Sequence, residues 1–233
     1  MSIASEQSRA IARVLGSATQ EVLWQGATVE LLAADVGRHR LRCRVGAGEA
    51  TYYRRLGRCE HLINYGCKMV ASKHDRQLAA QWLTGREILR RGYFDGELSL
   101  SGLLAHTCCH EFGHVLQSIS GGLARGSIHN QAFYHFVDRI HACGLARDVR
   151  CYIEEQARWH GLSLSFSPAT RPLPVVDAFA PGELVSFEYR GKAVMGEVLR
   201  VNRKTVNVKP LRPAFAADYF RISPQFLSRY QQG

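Results

Sequence analysis

AHTCCHEFGHVLQ, residues 105–117, sets three histidines and a glutamate, among them His110, Glu111 and His114, inside a stretch that otherwise reads as an apolar helix. Leu104, Cys108, Phe112, Val115, Leu116 and Ile119 recur at intervals of three and four, the spacing of one helical face. Ser99 or Ser101 supplies the N-cap, and the pair Gly121 and Gly122 ends the segment after about Ile119. An unpartnered polar group in such a setting costs roughly 2–7 kcal/mol, so His110, Glu111 and His114 need either partners or an ion. Residues four apart stand one turn above each other, which lets His110 and His114 share one ion. Zinc accepts imidazole nitrogens at about 2.0–2.1 Å. Glu111 falls beside that face, placed to hold a water rather than to ligate. This is the HExxH arrangement, in which the glutamate is the general base of metal-assisted hydrolysis.

His106 extends the stripe by one more turn. At 1.5 Å per residue, His106 and His114 lie about 12 Å apart, too far to share an ion. Pairing His106 with His110 would put Thr107 where the base belongs, and a threonine cannot act as a carboxylate. The pair is therefore His110 with His114, and His106 is read as a helix-surface or supporting group. A catalytic zinc takes a third protein ligand. His129, in GSIHNQAF after a glycine-bearing loop, is the leading candidate, although it could instead cap the helix that begins at Asn130. His135, His141, Glu154 and Glu155 stay open as alternatives. Cys108 and Cys109 point about 100° apart on a helix, so packing explains them better than ligation.

Around this centre the chain reads as α+β. Apolar spacing from about Ser5 to Leu32 predicts one or two opening helices. LRCRV, ATYYRRLG and HLINYGCKMV alternate, with GAGE at Gly46 to Glu49 as a turn, and predict a small antiparallel sheet. Further helices are expected over about Asp75 to Arg91, Asn130 to Cys143 and Arg147 to His160. Residues 166–181 hold most of a proline-rich stretch and read as a linker, dividing a domain at 1–165 from a small one at 182–233. ELVSFEYR, AVMGEVLRVN and KTVNVKP read as short strands, with DYFRIS as a possible fourth, and suggest an SH3-like β-barrel.

The 233 residues carry a net charge of +10, with 46% hydrophobic and 21% charged positions, ordinary for a globular protein. No apolar run approaches the ~20 residues needed to cross a bilayer, and the first residues lack the form of a secretory signal; a cytosolic location follows as an expectation. Seven cysteines without a CxxC pair argue against a disulfide framework or a zinc ribbon, and most are expected to be reduced core residues. The basic balance favours polyanionic partners. From Ala180 onward there are nine Lys or Arg against four Asp or Glu, and Arg200, Arg203, Lys204 and Lys209 with Tyr189 and Tyr219 offer a nucleic-acid surface, DNA and RNA being indistinguishable. YYRRLGR, Tyr52 to Arg58, reads either as a further contact or as a solvated strand face.

HEFGH, a glycine-rich loop and HNQAF together resemble the SprT-like metallopeptidases, the group of the Spartan and Wss1 DNA-dependent proteases. The resemblance spans roughly Leu62 to His141. It implies a zincin-like peptidase domain, Zn2+ held by His110, His114 and His129, Glu111 as the catalytic residue, and protein or peptide substrates that some members attack on DNA. The cysteine zinc ribbon that some members carry is missing here, and the expected barrel stands in its place. An adaptor that binds nucleic acid and keeps zinc as a structural or idle centre is the alternative from another class.

Overall fold

The computed structural model describes residues 3–26, 38–121, 127–166, 179–189, 192–202, 205–211, 218–222 and 224–230. The chain divides into two compact units, Met1–Ala169 and Thr170–Gly233. The 166–181 stretch expected to be a linker lies mostly outside the described residues, as do Leu32, Gly122, Arg203 and Lys204. The whole is mixed α+β, with seven α-helices among the described residues and two small sheets. None of these helices is long and apolar enough to cross a membrane.

The first unit opens with α1, Ile3–Ala18, continued by a π-helical segment at Thr19–Trp24. Three strands follow: β1 at Arg40–Gly46, β2 at Tyr52–Arg55 and β3 at Glu60–Gly66. Their spatial order is β1-β3-β2, with β1 parallel to β3 and β2 antiparallel to it. The expected all-antiparallel sheet is thus corrected to a mixed one. Except for Glu60, every residue of β3 is buried, so it takes the centre, where both faces and both edges are covered. β1 and β2 become the edges, and GAGE spans between them without forming a hairpin.

HLINYGCKMV is strand only as far as Gly66; α2, Cys67–Lys73, takes over from there. The helix expected over Asp75 to Arg91 is two, α3 at Arg76–Gln81 and α4 at Leu83–Arg91. Trp82 breaks them with an extended backbone (ψ 150°), while Asp75 caps α3 by accepting from the amides of Gln77 and Leu78. The break is held from below by Lys73, whose buried Nζ donates to Thr84 Oγ1 at 2.8 Å and lies 5.2 Å from the centre of the Trp82 ring. Gly92 closes α4 at φ 70°, a left-handed conformation that glycine adopts without a Cβ clash.

The decisive helix is α5, Leu100–Ile119, capped by Ser99, whose hydroxyl accepts from Gly102 N–H. Every residue from Leu100 to Ser118 is buried, so α5 is the axis of the unit rather than a surface helix. Against it pack α6 at Gln131–Ala142 and α7 at Leu145–Trp159. Its apolar side joins Leu15, Ile63, Tyr65 and Ile153 in the main core. The cysteines are all free. Only Cys67, Cys108 and Cys109 are buried, and Cys143 and Cys151 are exposed, so the expectation that most are core residues fails.

The second unit is a five-stranded antiparallel sheet with the order β7-β6-β5-β4-β8. Its strands are β4 at Leu184–Tyr189, β5 at Lys192–Val201, β6 at Val206–Pro210, β7 at Phe220–Ile222 and β8 at Ser228–Arg229. Val185, Phe187, Val194, Val198, Val206 and Val208 form its core by alternation. β8 escaped the sequence reading because two residues carry no pattern. Among the described residues no ladder joins β7 to β8, so no closed barrel is formed.

Candidate metal centre

His110, Glu111 and His114 leave α5 toward a cleft of about 320 Å3 lined also by Thr51, Tyr52, Tyr53, Gln117, Ile128 and His129. His129 reaches it from the residue just before the cap of α6. Asn130, not His129, is that cap: its Oδ1 accepts from Phe133 N–H at 3.0 Å and from Gln117 Nε2 of α5 at 3.1 Å. This fastens the start of α6 to α5 and leaves the His129 ring free to turn inward. Its Nε2 lies 3.1 Å from His110 Nε2 and 3.2 Å from His114 Nε2. The three rings rest on Phe133, with ring centres 4.9, 4.3 and 4.9 Å from His110, His114 and His129. Gly113 makes this floor possible, because a Cβ there would stand 2.7 Å from Val137 Cγ2 and 3.1 Å from Phe133 Cε2.

Glu87 of α4 was not singled out from the sequence, and it organises the centre. Its Oε2 receives His110 Nδ1 at 2.8 Å and His106 Nε2 at 2.9 Å, and its Oε1 receives Tyr134 Oη at 3.0 Å. Burial would raise this carboxyl, but the hydrogen bonds from His106 and His110 outweigh it and hold Glu87 well below the usual carboxylate range. An ionised carboxylate only accepts, so both histidines donate to it. In the neutral rings this fixes the tautomers: His110 turns an Nε2 lone pair to the cleft, and His106 Nδ1 accepts from His141 Nε2 at 3.0 Å.

With His110 Nε2 a lone pair, the three converging nitrogens cannot all be satisfied by one another, since a shared proton serves one contact at a time. A cation among them resolves the repulsion. Tetrahedral bonds of about 2.0–2.1 Å imply ligand separations of about 3.3 Å, close to those observed, so this donor set fits a metal ion. His110, His114 and His129 form one such convergent group. Glu87, His106 and His110 form a second, already satisfied by its own hydrogen bonds.

Burial lowers His114 to about 3, helped by the neighbouring charges of His110 and His129, and burial likewise lowers His129. Both rings are thus neutral donors near pH 7. Burial raises the Glu111 carboxyl, partly opposed by His110, by Lys73 and by a backbone hydrogen bond from Tyr53. Lys73 in turn is pulled down to about 7 by its burial, against the attraction of Glu111 and Glu87. Tyr53 roofs the site, its ring stacked 6.3 Å from His114 and its hydroxyl 2.9 Å from His61 Nδ1.

The remaining candidates lie elsewhere. His135 is exposed, and His141 is stacked on Tyr93 at 3.8 Å. Glu154 pairs with Arg150 and Glu155 is exposed. Tyr134 donates to Glu87 and does not line the cleft, whereas Tyr53 does.

A pH dependence follows from two imidazoles outside the ligand set, the buried His61 and the half-buried His141. Burial lowers His61 to about 4 and His141 to about 3. Unfolded histidine titrates near 6.5, so between about pH 6.5 and 4 the unfolded chain binds more protons than the folded one. Stability is therefore present above that window and falls as the pH drops through it. The metal-free chain is expected to melt several degrees lower at pH 5 than at pH 7.5, measured by calorimetry; an equal or higher Tm at pH 5 contradicts this.

Compared with protein-family models, curated proteins and solved structures, the chain matches none.

Proposed function

We propose that the chain is a zinc-dependent endopeptidase of SprT-like, zincin-like character. One observation carries the reading: three imidazole nitrogens converge at 3.1–3.2 Å on the floor of an open cleft that has the Glu111 carboxyl in its wall. His110, His114 and His129 would hold the ion, which when bound supplies a Lewis acid that makes water nucleophilic near neutral pH. The raised Glu111 carboxyl is suited to take a proton from the attacking water and return it to the leaving amine. Glu87 keeps His110 in its donating tautomer. A structural zinc is closed by four protein ligands; among the described residues three converge, which favours the enzyme over the adaptor.

The position of β2 supports a peptide substrate: among the described residues it is an edge strand, and Thr51, Tyr52 and Tyr53 border the cleft, where an extended chain could lie alongside it.

The SH3-like reading of the second unit belongs to the same proposal. Its last strand returns beside its first, after a 3-10 turn at Pro224–Phe226. A register shift between Val198 and Arg200 is a bulge of the kind that bends a strand, and Gly196 leaves no room for a Cβ against Val208 and Lys209 O, two features that suit a small barrel. Register aligns exposed Arg200, half-buried Asn207 and exposed Arg221 across its outer face, with Lys209 nearby, a surface for nucleic acid. Tyr189 packs against the core beside Phe220 and is not part of that surface.

The test is casein cleavage by the full chain carrying one equivalent of zinc, before and after chelation. Cleavage that disappears with the metal and returns with it is expected. Failure to retain stoichiometric metal, or cleavage indifferent to chelation, overturns the reading.

A further inference from the structure

The three-stranded sheet of the first unit has two unlike faces. Leu41, Ile63 and Tyr65, with Cys43, Val45 and Tyr53, turn toward the helices and join their core. On the opposite face the alternation places Arg40, Arg42 and Arg44 of β1 and Arg54 of β2, all exposed. Register sets them in rows: Arg42, Leu62 and Arg54 across the three strands, then Arg44, Asn64 and Tyr52. Leu62 and Asn64 are buried between these flanking side chains, as arginine stems covering a sheet would leave them.

Among the described residues the charge on this face is uncompensated. Glu60 is the one acidic residue in the three strands. Among the described residues, no carboxylate forms an ion pair with Arg40, Arg42, Arg44 or Arg54. Arginines two apart on a strand stand about 6.7 Å from each other, near enough to repel, and their guanidiniums match phosphate oxygens in a fork geometry. Arg44 is already held in place, its Nε donating to Asn64 Oδ1 at 2.9 Å and its Nη2 to Tyr52 Oη at 2.7 Å. A half-buried aromatic ring therefore sits in the same row as a fixed guanidinium.

We infer that this outer face binds single-stranded nucleic acid, the arginines taking the phosphates while Tyr52 and the guanidinium planes offer surfaces on which bases stack. Charge complementarity identifies the occupant as a polyanion. The residues named lie on three paired strands and not on a helix that could enter a duplex groove, which favours a single strand. The surface is built from residues of the first unit alone, and its existence does not depend on the peptidase reading. Should that reading hold, the location has a use: β2 carries Arg54 on this face and borders the metal cleft with Tyr52 and Tyr53, so a protein attached to the bound strand would lie near the cleft.

The experiment is fluorescence anisotropy of the full chain with a labelled oligothymidylate over a salt titration. It compares the parent, the variant Arg40→Gln/Arg42→Gln/Arg54→Gln, and a second-unit control, Arg200→Gln/Lys209→Gln/Arg221→Gln. Arg44 is left intact because it is bonded into the sheet. The first variant is expected to bind at least about tenfold more weakly, with a slope of log affinity against log salt shallower by about 2, at roughly 0.7 per phosphate contact on a single strand. Its thermal unfolding must match that of the parent. No binding by the parent, or a folded variant with the parent's affinity and slope, overturns the inference. A duplex bound as tightly through the same three arginines overturns the single-strand assignment. No peptidase substrate is present, so failure of the peptidase reading leaves these outcomes untouched.

Discussion

Glu111→Gln is expected to keep the metal and lose hydrolysis by about 10²- to 10⁴-fold, the usual contribution of a placed general base. The amide is close in shape to the carboxyl, and Glu111 is no member of the convergent nitrogen set, so metal stoichiometry should be unchanged. The amide cannot take a proton from water. Burial of Glu111 strengthens the contrast, because a neutral side chain is easier to keep at that position than an ionised one. The fold should accordingly be no less stable in the variant. Metal content by emission spectrometry and the initial rate on a quenched peptide decide the matter together. A variant that retains both metal and rate removes Glu111 from the chemistry, whereas one that loses both shows that it acts through the fold.

The second large effect concerns Glu87. Its replacement by alanine strands three donors, His106 Nε2–H, His110 Nδ1–H and Tyr134 O–H, the first on a fully enclosed ring and the second on a buried one. Each buried unsatisfied group costs about 1–3 kcal/mol, so a loss of about 3–5 kcal/mol in unfolding free energy is expected by urea denaturation. Glu87→Gln is the milder probe. It preserves volume but sets an NH2 where an acceptor is needed, freeing His110 to change tautomer. Zinc affinity, read by chelator competition, is expected to fall about 10- to 100-fold. Unchanged affinity in a folded Gln variant would show that the hydrogen bond between Glu87 and His110 does not prepare the ligand.

The centre was legible in the sequence to the extent that periodicity could carry it. The spacing of His110 and His114 on an apolar helix, and the cap at Ser99, needed only local rules. His129 was accessible through its place before a helix start, although the device that turns it inward, Gln117 gripping the Asn130 cap, is a contact between two helices and leaves no local trace. Glu87 was missed for the same reason. The one available sign was a carboxylate on the buried side of GREIL, beside Ile88. The sheet shows a different limit. Alternation identifies faces, as the exposed arginines of β1 and β2 show, but it does not give strand direction. The clue to a mixed sheet was that HLINYG is continuously apolar or uncharged rather than alternating, as a central strand requires. The break at Trp82 depends on Lys73 from another helix and had no counterpart in the pattern.

The closeness of α5 and α6 at Gly113 bears on how the HEFGH segment can vary. Of its two interior positions, 112 is filled by a large ring in the core, while 113 has no room for a single added methyl against Val137. Identity at 113 is thus dictated by the neighbouring helix and not by catalysis. Chains that exchange Val137 for something smaller would recover freedom there, and the two positions should be found to change together or not at all.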